Sequence, residues 1–148
     1  MTVDVVHHGG LIARKIHGRW QGVLILGSSG AGKSDLALRA LDHGFRLVAD
    51  DRVLVWVDGG QLFGRAPDSL RDRLEVRGLG VIQVSALRFC RVAMVVHLQR
   101  PDRLPDPGGA LILGVALPHA VVEPYEASAP AKIGRALTTF DAAHKRRI

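Results

Sequence analysis

The chain has 148 residues, of which 47% are hydrophobic, and it carries a formal net charge of +6. This length fits a single domain that buries roughly two thirds of the surface its unfolded chain exposes. The positive charge is dispersed, and no apolar run approaches the ~20 residues that cross a bilayer, so the sequence predicts neither a nucleic-acid nor a membrane partner. The single cysteine cannot form an internal disulfide, and the N-terminus lacks the features of a signal peptide, which predicts a cytoplasmic protein.

The first predicted unit is a β-loop-α-β segment over residues 23–51. The aliphatic run "VLIL" leads into a glycine-rich loop, and apolar residues then recur at helical spacing, at Leu36, Ala37, Ala40 and Leu41. Gly44 is placed to end that helix, and "RLVAD" after it predicts a short buried strand.

Three further segments predict strands. "RVLVWV" and "QLFG" flank Asp58 and Gly59, which supply the positive φ that a tight hairpin needs, so an antiparallel element is expected in the sheet. "LEVRGLGVIQV" has strand character interrupted by Gly78 and Gly80, while "VAMVVHL" is a continuous apolar run, typical of a strand covered on both faces. Both of these segments are expected in the core.

The last third of the chain predicts a loop and a helix. The proline-rich segment at residues 100–110 is typical of a surface loop. A C-terminal amphipathic helix is indicated by apolar residues at i, i+3, i+4 and i+7, which are Ile133, Ala136, Leu137 and Phe140, with Pro130 in its first turn. The apolar face would serve an intramolecular core or an interface between subunits. The predicted fold class is therefore a single mixed α/β domain.

The glycine-rich loop "GSSGAGKS" matches the pattern GxxxxGKS in full, between a predicted strand and a predicted helix. Its glycines let backbone N–H groups turn toward phosphate oxygens, and the helix adds the positive end of its dipole. Lys33 would reach the β and γ phosphates, and Ser34 would offer its hydroxyl to Mg²⁺. The pattern predicts binding of ATP and Mg²⁺ by the loop residues Gly27, Ser28, Ser29, Gly30, Ala31, Gly32, Lys33 and Ser34.

Asp50 and Asp51 end the strand that directly follows the phosphate-loop helix, which is unusually close for common NTPases. Because successive side chains of an extended segment point to opposite faces, the two carboxylates are expected to differ in role. One would accept the proton of an attacking hydroxyl, and the other would hold Mg²⁺ or a neighbouring base. A surface pair that opens a turn beside Arg52 is the alternative.

Four motifs in this order resemble the HPr kinase/phosphorylase family, in its C-terminal catalytic domain. They are "IHG" at residues 16–18, "GSSGAGKS" at 27–34, "HGFRLVADD" at 43–51 and "EVRGLGVI" at 75–82. The resemblance implies a compact mixed α/β P-loop kinase fold, distantly akin to phosphoenolpyruvate carboxykinase. It also implies a bacterial regulator of the phosphotransferase system that phosphorylates a serine of the phosphocarrier protein HPr with ATP and Mg²⁺, and removes that phosphate again. Residues 1–148 would be this catalytic domain, without the family's N-terminal domain, in a homo-oligomer that is hexameric in the family.

By analogy with the family, Asp50 would be the catalytic base and His17 its neighbour, with Lys33 and Asp51 completing the catalytic set. The alternative for His17 is a capped turn. The other histidines, at His7, His8, His119 and His144, lack metal-ligand spacing and are interpreted as surface residues.

The resemblance also implies that Ser34 and Glu75 help to hold Mg²⁺. A structural ion pair between Glu75 and Arg77 is the alternative, since the two share a face of an extended segment.

The C-terminal third departs from the family. A Gly-Arg-Asn stretch that contacts phosphate in the family is absent from "VVEPYEASAPAKIGRAL", where Lys132 or Arg135 could supply the cation. This departure leaves open a non-catalytic module that senses nucleotide through the retained loop. A small-molecule kinase is a second alternative, although nothing in residues 65–110 is typical of a lid for a small substrate.

Overall fold

The structure is a computed structural model that describes residues 2–98 and 110–146, with side chains as far as residue 140. Within these ranges the strands are β1 (Val3–His7), β2 (Gly9–Ile16), β3 (Arg19–Leu26), β4 (Phe45–Ala49), β5 (Arg52–Asp58), β6 (Gln61–Arg65), β7 (Arg73–Val76), β8 (Gly80–Gln83), β9 (Cys90–Leu98), β10 (Ala110–Ile112), β11 (Val115–Leu117) and β12 (His119–Val122). The helices are α1 (Lys33–Leu41), α2 (Ala129–Arg146) and a 3-10 turn (Asp68–Leu70).

Eight of the strands form one mixed sheet. Its order is β1-β5-β6-β9-β3-β2-β4, and β12 pairs with β9. β6 pairs with the first residues of β9 and β12 with its last residues, so both lie along the same edge of that strand. β3, β9 and β12 run parallel, whereas β2 is antiparallel to both β3 and β4. The carboxyl ends of β3, β9 and β12 therefore meet at one edge, where ligands bind in open α/β sheets.

The sheet carries apolar side chains on both faces. Along β3, Val23 and Ile25 pack with α1 and α2, while Leu24 between them packs on the opposite face. Along β9, Met94 and Val96 face the helices, and Val95 faces the other cluster. This alternation confirms the prediction that the "VAMVVHL" strand is covered on both sides, and each such buried side chain stabilises the fold by about 1.5–3 kcal/mol.

The predicted β-loop-α-β unit is confirmed as β3, the loop, α1 and β4, with Gly44 at a φ of 82° in the turn after the helix. The predicted hairpin is confirmed as β5 and β6. Its turn is centred one residue later than predicted, because Gly59 and Gly60 both have positive φ, at 58° and 77°. These are the angles that a two-residue hairpin turn needs.

The C-terminal helix is confirmed as α2. Ile133 and Leu137 are fully buried, and Ala136 and Phe140 pack against the helix-side cluster. The apolar face of α2 is therefore used within the chain.

The expectation for "LEVRGLGVIQV" was only half right. The segment forms a separate antiparallel hairpin of β7 and β8, in which Leu74 and Val76 are buried. Leu79 and Val81, by contrast, are 75% and 65% exposed. On the same strand as Val81, Ile82 is partly buried and packs against the helix-side cluster. The predicted surface loop lies outside the described residues, except that Ala110 begins β10. In the part of the chain that the structure describes, no helix is both long and apolar enough to cross a membrane.

Candidate active site

The phosphate loop connects β3 to α1 at the carboxyl edge of the sheet. Gly30 and Gly32 adopt positive φ, at 80° and 100°, which a side chain would strain. Gly32 is the N-cap of α1, and no side chain caps the helix there. The first N–H groups of α1 are therefore available to phosphate oxygens, which is the feature that makes a helix N-terminus an anion site.

Lys33 lies folded over the loop. Its Nζ donates hydrogen bonds to the carbonyl oxygens of Gly27, at 2.8 Å, and Ser28, at 2.7 Å, and only 9% of the residue is exposed. Burial lowers the pKa of the Lys33 ammonium, and the carboxylates of Asp51 and Asp50 act in the opposite direction. The loop thus holds a desolvated cation within reach of two negative charges.

Asp50 links three elements of the site. Its Oδ1 accepts a hydrogen bond of 2.8 Å from Ser34 Oγ, in the first turn of α1, and its Oδ2 accepts one of 3.1 Å from the backbone N–H of Glu75, on β7. The residue is 8% exposed. Such burial with two donors contradicts the alternative of a surface pair, and fixes the carboxylate beside the phosphate loop.

Asp51 occupies a different environment, as the sequence predicted for the pair. It is exposed and adopts a φ of 71°, a conformation that aspartate tolerates better than most residues. Its carbonyl oxygen accepts a hydrogen bond of 3.1 Å from Gly9 N–H, which ties the turn to the start of β2. The chain therefore turns between the two carboxylates and presents only Asp50 inward.

Glu75 is exposed, with its backbone against Asp50. Among the described side chains Glu75 forms no ion pair with Arg77, so the alternative of a structural ion pair between them is wrong. No group of three or more His, Cys, Asp or Glu side chains suited to a metal occurs among the residues described. Ser34 and Asp50, joined by a hydrogen bond, are two oxygen ligands that lie at the loop.

His17 is not brought to this site, which corrects the expectation that it neighbours Asp50. It lies in the turn of the β2–β3 hairpin, where Ile16 pairs with Arg19. The loop follows the other end of the eight-residue β3, about 25 Å along the strand. His8, by contrast, lies at the loop end of the sheet, because it precedes Gly9, which pairs with Leu26 and donates a hydrogen bond to the carbonyl oxygen of Asp51.

Sequence reasoning missed His8, although a signal was present. The dipeptide His-Gly occurs three times, at His8-Gly9, His17-Gly18 and His43-Gly44. The antiparallel pairing of β2 with β3 decides which of the first two copies lies beside the aspartates.

Within the described part of the chain, the structure shows neither of the two predicted substitute cations, Lys132 and Arg135, in contact with the phosphate loop. Lys132 is paired with the carboxylate of Glu126, and Arg135 is exposed on α2. The segment before α2 contacts the loop in another way, because Tyr125 lies against Gly32. Sequence reasoning gave Tyr125 no role, and no local pattern marks it.

Comparison with known proteins finds relatives of this chain. The family model described as HPr Serine kinase C-terminal domain matches residues 1–104. The chain is 40% identical over 131 residues to an HPr kinase/phosphorylase of Limosilactobacillus reuteri, and 40% identical over 117 residues to one of Azoarcus sp.. These matches cover 78% and 68% of this chain but 39% and 37% of those proteins, so the chain spans about two fifths of the length of these curated relatives.

A solved structure supports the fold class. The HPr(Ser) kinase/phosphatase from Coxiella burnetii superposes with a TM-score of 0.74 and 26% sequence identity, over 97% of each chain. The predicted mixed α/β phosphate-loop fold is therefore confirmed.

Proposed function

The chain belongs to the HPr serine kinase C-terminal domain family, and from that membership we propose that it is a protein-serine kinase that transfers the γ-phosphoryl group of ATP to a serine of the phosphocarrier protein HPr. The observation that carries the proposal is the 2.8 Å hydrogen bond from Ser34 Oγ to Asp50 Oδ1. It places a buried carboxylate beside the residues that would hold the phosphates, where a serine hydroxyl must arrive.

In the proposed forward step, the loop, Lys33 and Asp50 have separate roles. The loop N–H groups and the Lys33 ammonium hold the β and γ phosphates and offset the charge that develops on them. Asp50 takes the proton of the serine hydroxyl, whose oxygen bonds to the γ phosphorus while the bond to the β–γ bridging oxygen breaks and ADP leaves. A carboxylate has about four lone-pair sites, and two of those on Asp50 are used by Ser34 and Glu75, so sites remain for the incoming proton.

The donor set fits Mg²⁺. This ion takes oxygen ligands, usually from one or two protein groups together with the phosphates. Ser34 donates its hydrogen to Asp50 and keeps its lone pairs, so its oxygen remains a suitable ligand. Ser34 would hold the ion with Asp50 or Glu75, and bound there it would neutralise charge on the phosphate oxygens.

The reverse reaction uses the same residues. Inorganic phosphate attacks the phosphorus of phosphoserine, the bond to the serine oxygen breaks, and pyrophosphate forms in the loop. Microscopic reversibility requires that the leaving serine oxygen regain a proton, and the protonated Asp50 is the nearest source.

The test is transfer of labelled phosphate from ATP to HPr, run with Mg²⁺, and release from phosphoserine-HPr with inorganic phosphate. We expect both reactions from the wild type and neither from Lys33→Met. A non-catalytic nucleotide sensor, the alternative suggested by the missing Gly-Arg-Asn stretch, would bind ATP without transferring phosphate to HPr. Sedimentation of the same samples tests the expected homo-oligomer.

A further inference from the structure

Tyr125 is an aromatic side chain that lies beside the phosphate loop without belonging to either hydrophobic cluster. It is 60% exposed. Its Cζ and Oη would each lie 3.2 Å from a Cβ placed on Gly32, so the end of the ring touches the loop itself. Neither packing within the core nor a hydrogen bond among the described residues accounts for the exposed face of this ring.

The backbone that carries Tyr125 is tied to the phosphate helix. The Arg39 guanidinium donates to the carbonyl oxygens on either side of the tyrosine, those of Pro124 and, at 3.0 Å, Glu126. Arg39 is itself held by Asp35, one turn earlier on α1, at 3.0 Å. Because the phosphate-binding N–H groups and Arg39 belong to one helix, the backbone on either side of Tyr125 is tied to the element that would hold the phosphates.

The sheet order places Tyr125 and Asp50 on opposite sides of the loop. Tyr125 follows β12, which is separated from β3 by β9, and Asp50 follows β4, which is separated from β3 by β2. With neighbouring strands about 4.8 Å apart, the strands β12 and β4 lie about 10 Å to either side of β3. From these two sides Tyr125 reaches Gly32 and Asp50 reaches Ser34. A nucleotide whose γ phosphate is directed to Asp50 therefore extends its nucleoside toward Tyr125.

We propose that Tyr125 is the stacking surface for the base of the bound nucleotide. The inference rests on the proposed function for the phosphate loop, and it assigns the base to a residue of the C-terminal segment. Stacking of a base on an aromatic ring is tolerant of the base's identity, because every base has a π face. The site should therefore hold adenine and guanine nucleotides with similar affinity.

The experiment measures the Kd of Mg-ATP, Mg-GTP and Mg-tripolyphosphate for the full chain by calorimetry. Tripolyphosphate carries the phosphates without a base, so it separates the loop from the ring. We expect Tyr125→Ala to weaken ATP and GTP binding about 5- to 100-fold and to leave tripolyphosphate binding unchanged. Tyr125→Phe keeps the ring and should bind all three like the wild type.

The control variant is Phe89→Ala, which removes an aromatic of similar exposure, 56%, from the opposite end of the sheet. It should leave every Kd unchanged, and a thermal melt of each variant shows that the fold is retained.

Several results would overturn the proposal. Equal loss of ATP and tripolyphosphate in Tyr125→Ala would mean that the ring supports the loop, and loss in Tyr125→Phe would assign the effect to the hydroxyl. Wild-type ATP affinity in Tyr125→Ala would mean that the base lies elsewhere. If the wild type binds neither ATP nor tripolyphosphate, both the phosphate-loop assignment and the Tyr125 proposal fail. If the wild type binds tripolyphosphate but Tyr125→Ala does not weaken ATP binding, only the Tyr125 proposal fails and the proposed function stands.

Discussion

Ser34 and Asp50 are joined by a 2.8 Å hydrogen bond in which the serine hydroxyl donates to the carboxylate. The contact connects the first turn of α1 with the residue that follows β4, and it makes the magnesium-binding and proton-accepting groups of the proposed reaction direct neighbours.

Asp50→Asn should lower the rates of phosphorylation and phosphorolysis by similar factors, on the order of 10² to 10⁴, because the amide cannot take or return the proton. Initial rates at saturating nucleotide and at saturating phosphate measure the two directions. Asp51→Asn is the matched control. Because Asp51 is exposed, this variant should lower the two rates much less. Loss of the forward rate alone in Asp50→Asn would rule out a shared base.

Lys33→Met should abolish transfer, because the charge on the transferred phosphoryl group loses its cation. The side chain is more buried than a solvent-facing loop would suggest. Burial lowers the lysine pKa, so the folded state disfavours the ammonium, and we expect the variant to fold, which a thermal melt checks. Lys132→Met, which removes an exposed lysine, should keep full turnover. Activity in Lys33→Met would exclude the phosphate-loop assignment.

Glu75→Gln should raise the Mg²⁺ concentration needed for half-maximal rate several-fold, with an unchanged melting temperature, if its carboxylate supports the ion. Arg77→Gln is the paired variant and should alter neither quantity, because no ion pair joins the two residues among the described side chains. Metal titrations and melts on the same samples provide both readings. A lower melting temperature with an unchanged metal requirement would instead assign Glu75 a structural role.

His8→Asn and His17→Asn form a matched pair, because both histidines precede a glycine and adopt positive φ, at 54° and 51°. Asparagine tolerates that conformation, so strain should be similar in both variants. We expect His8→Asn to reduce kcat by about 10², the lower end of the range for proton-transfer groups. His17→Asn should retain wild-type kcat, since its turn lies at the other end of β3. The reverse ranking would mean that His17 reaches the site from elsewhere.

His97 should make the fold less stable in mild acid. Burial lowers its pKa, and the neighbouring His119 ring, 5.5 Å away, acts in the same direction. With a folded-state pKa below the unfolded value of 6.5, the unfolded chain binds the proton more readily, so stability falls as pH drops through 6.5 and levels off below the folded pKa. Melting temperatures from pH 8 to 5 should show a steeper decline for the wild type than for His97→Gln. Equal slopes would contradict this assignment.

Sequence patterns predicted the part of the site that is formed by consecutive residues, from β3 to Asp50. The strand, loop, helix and second strand are consecutive, and their apolar periods predicted them correctly. The choice of Asp50 over Asp51 as the base came from the family resemblance and not from these periods. His17 was misplaced because its distance from the loop depends on the pairing of β2 with β3, and β2 gave no clear period. Tyr125 could not be found at all, since only the parallel pairing of β12 with β9 brings it to Gly32.

The anchoring of Tyr125 by Arg39 has a consequence for the order of folding. Arg39 and the Glu126 carbonyl are 87 residues apart in the chain, whereas Ser34 and Asp50 are separated by 16. Closing the longer loop costs more conformational entropy and depends on a sheet that has already assembled. The phosphate pocket and its carboxylate should therefore form first during refolding, and affinity for the nucleoside half of the ligand should appear in a later, separable phase.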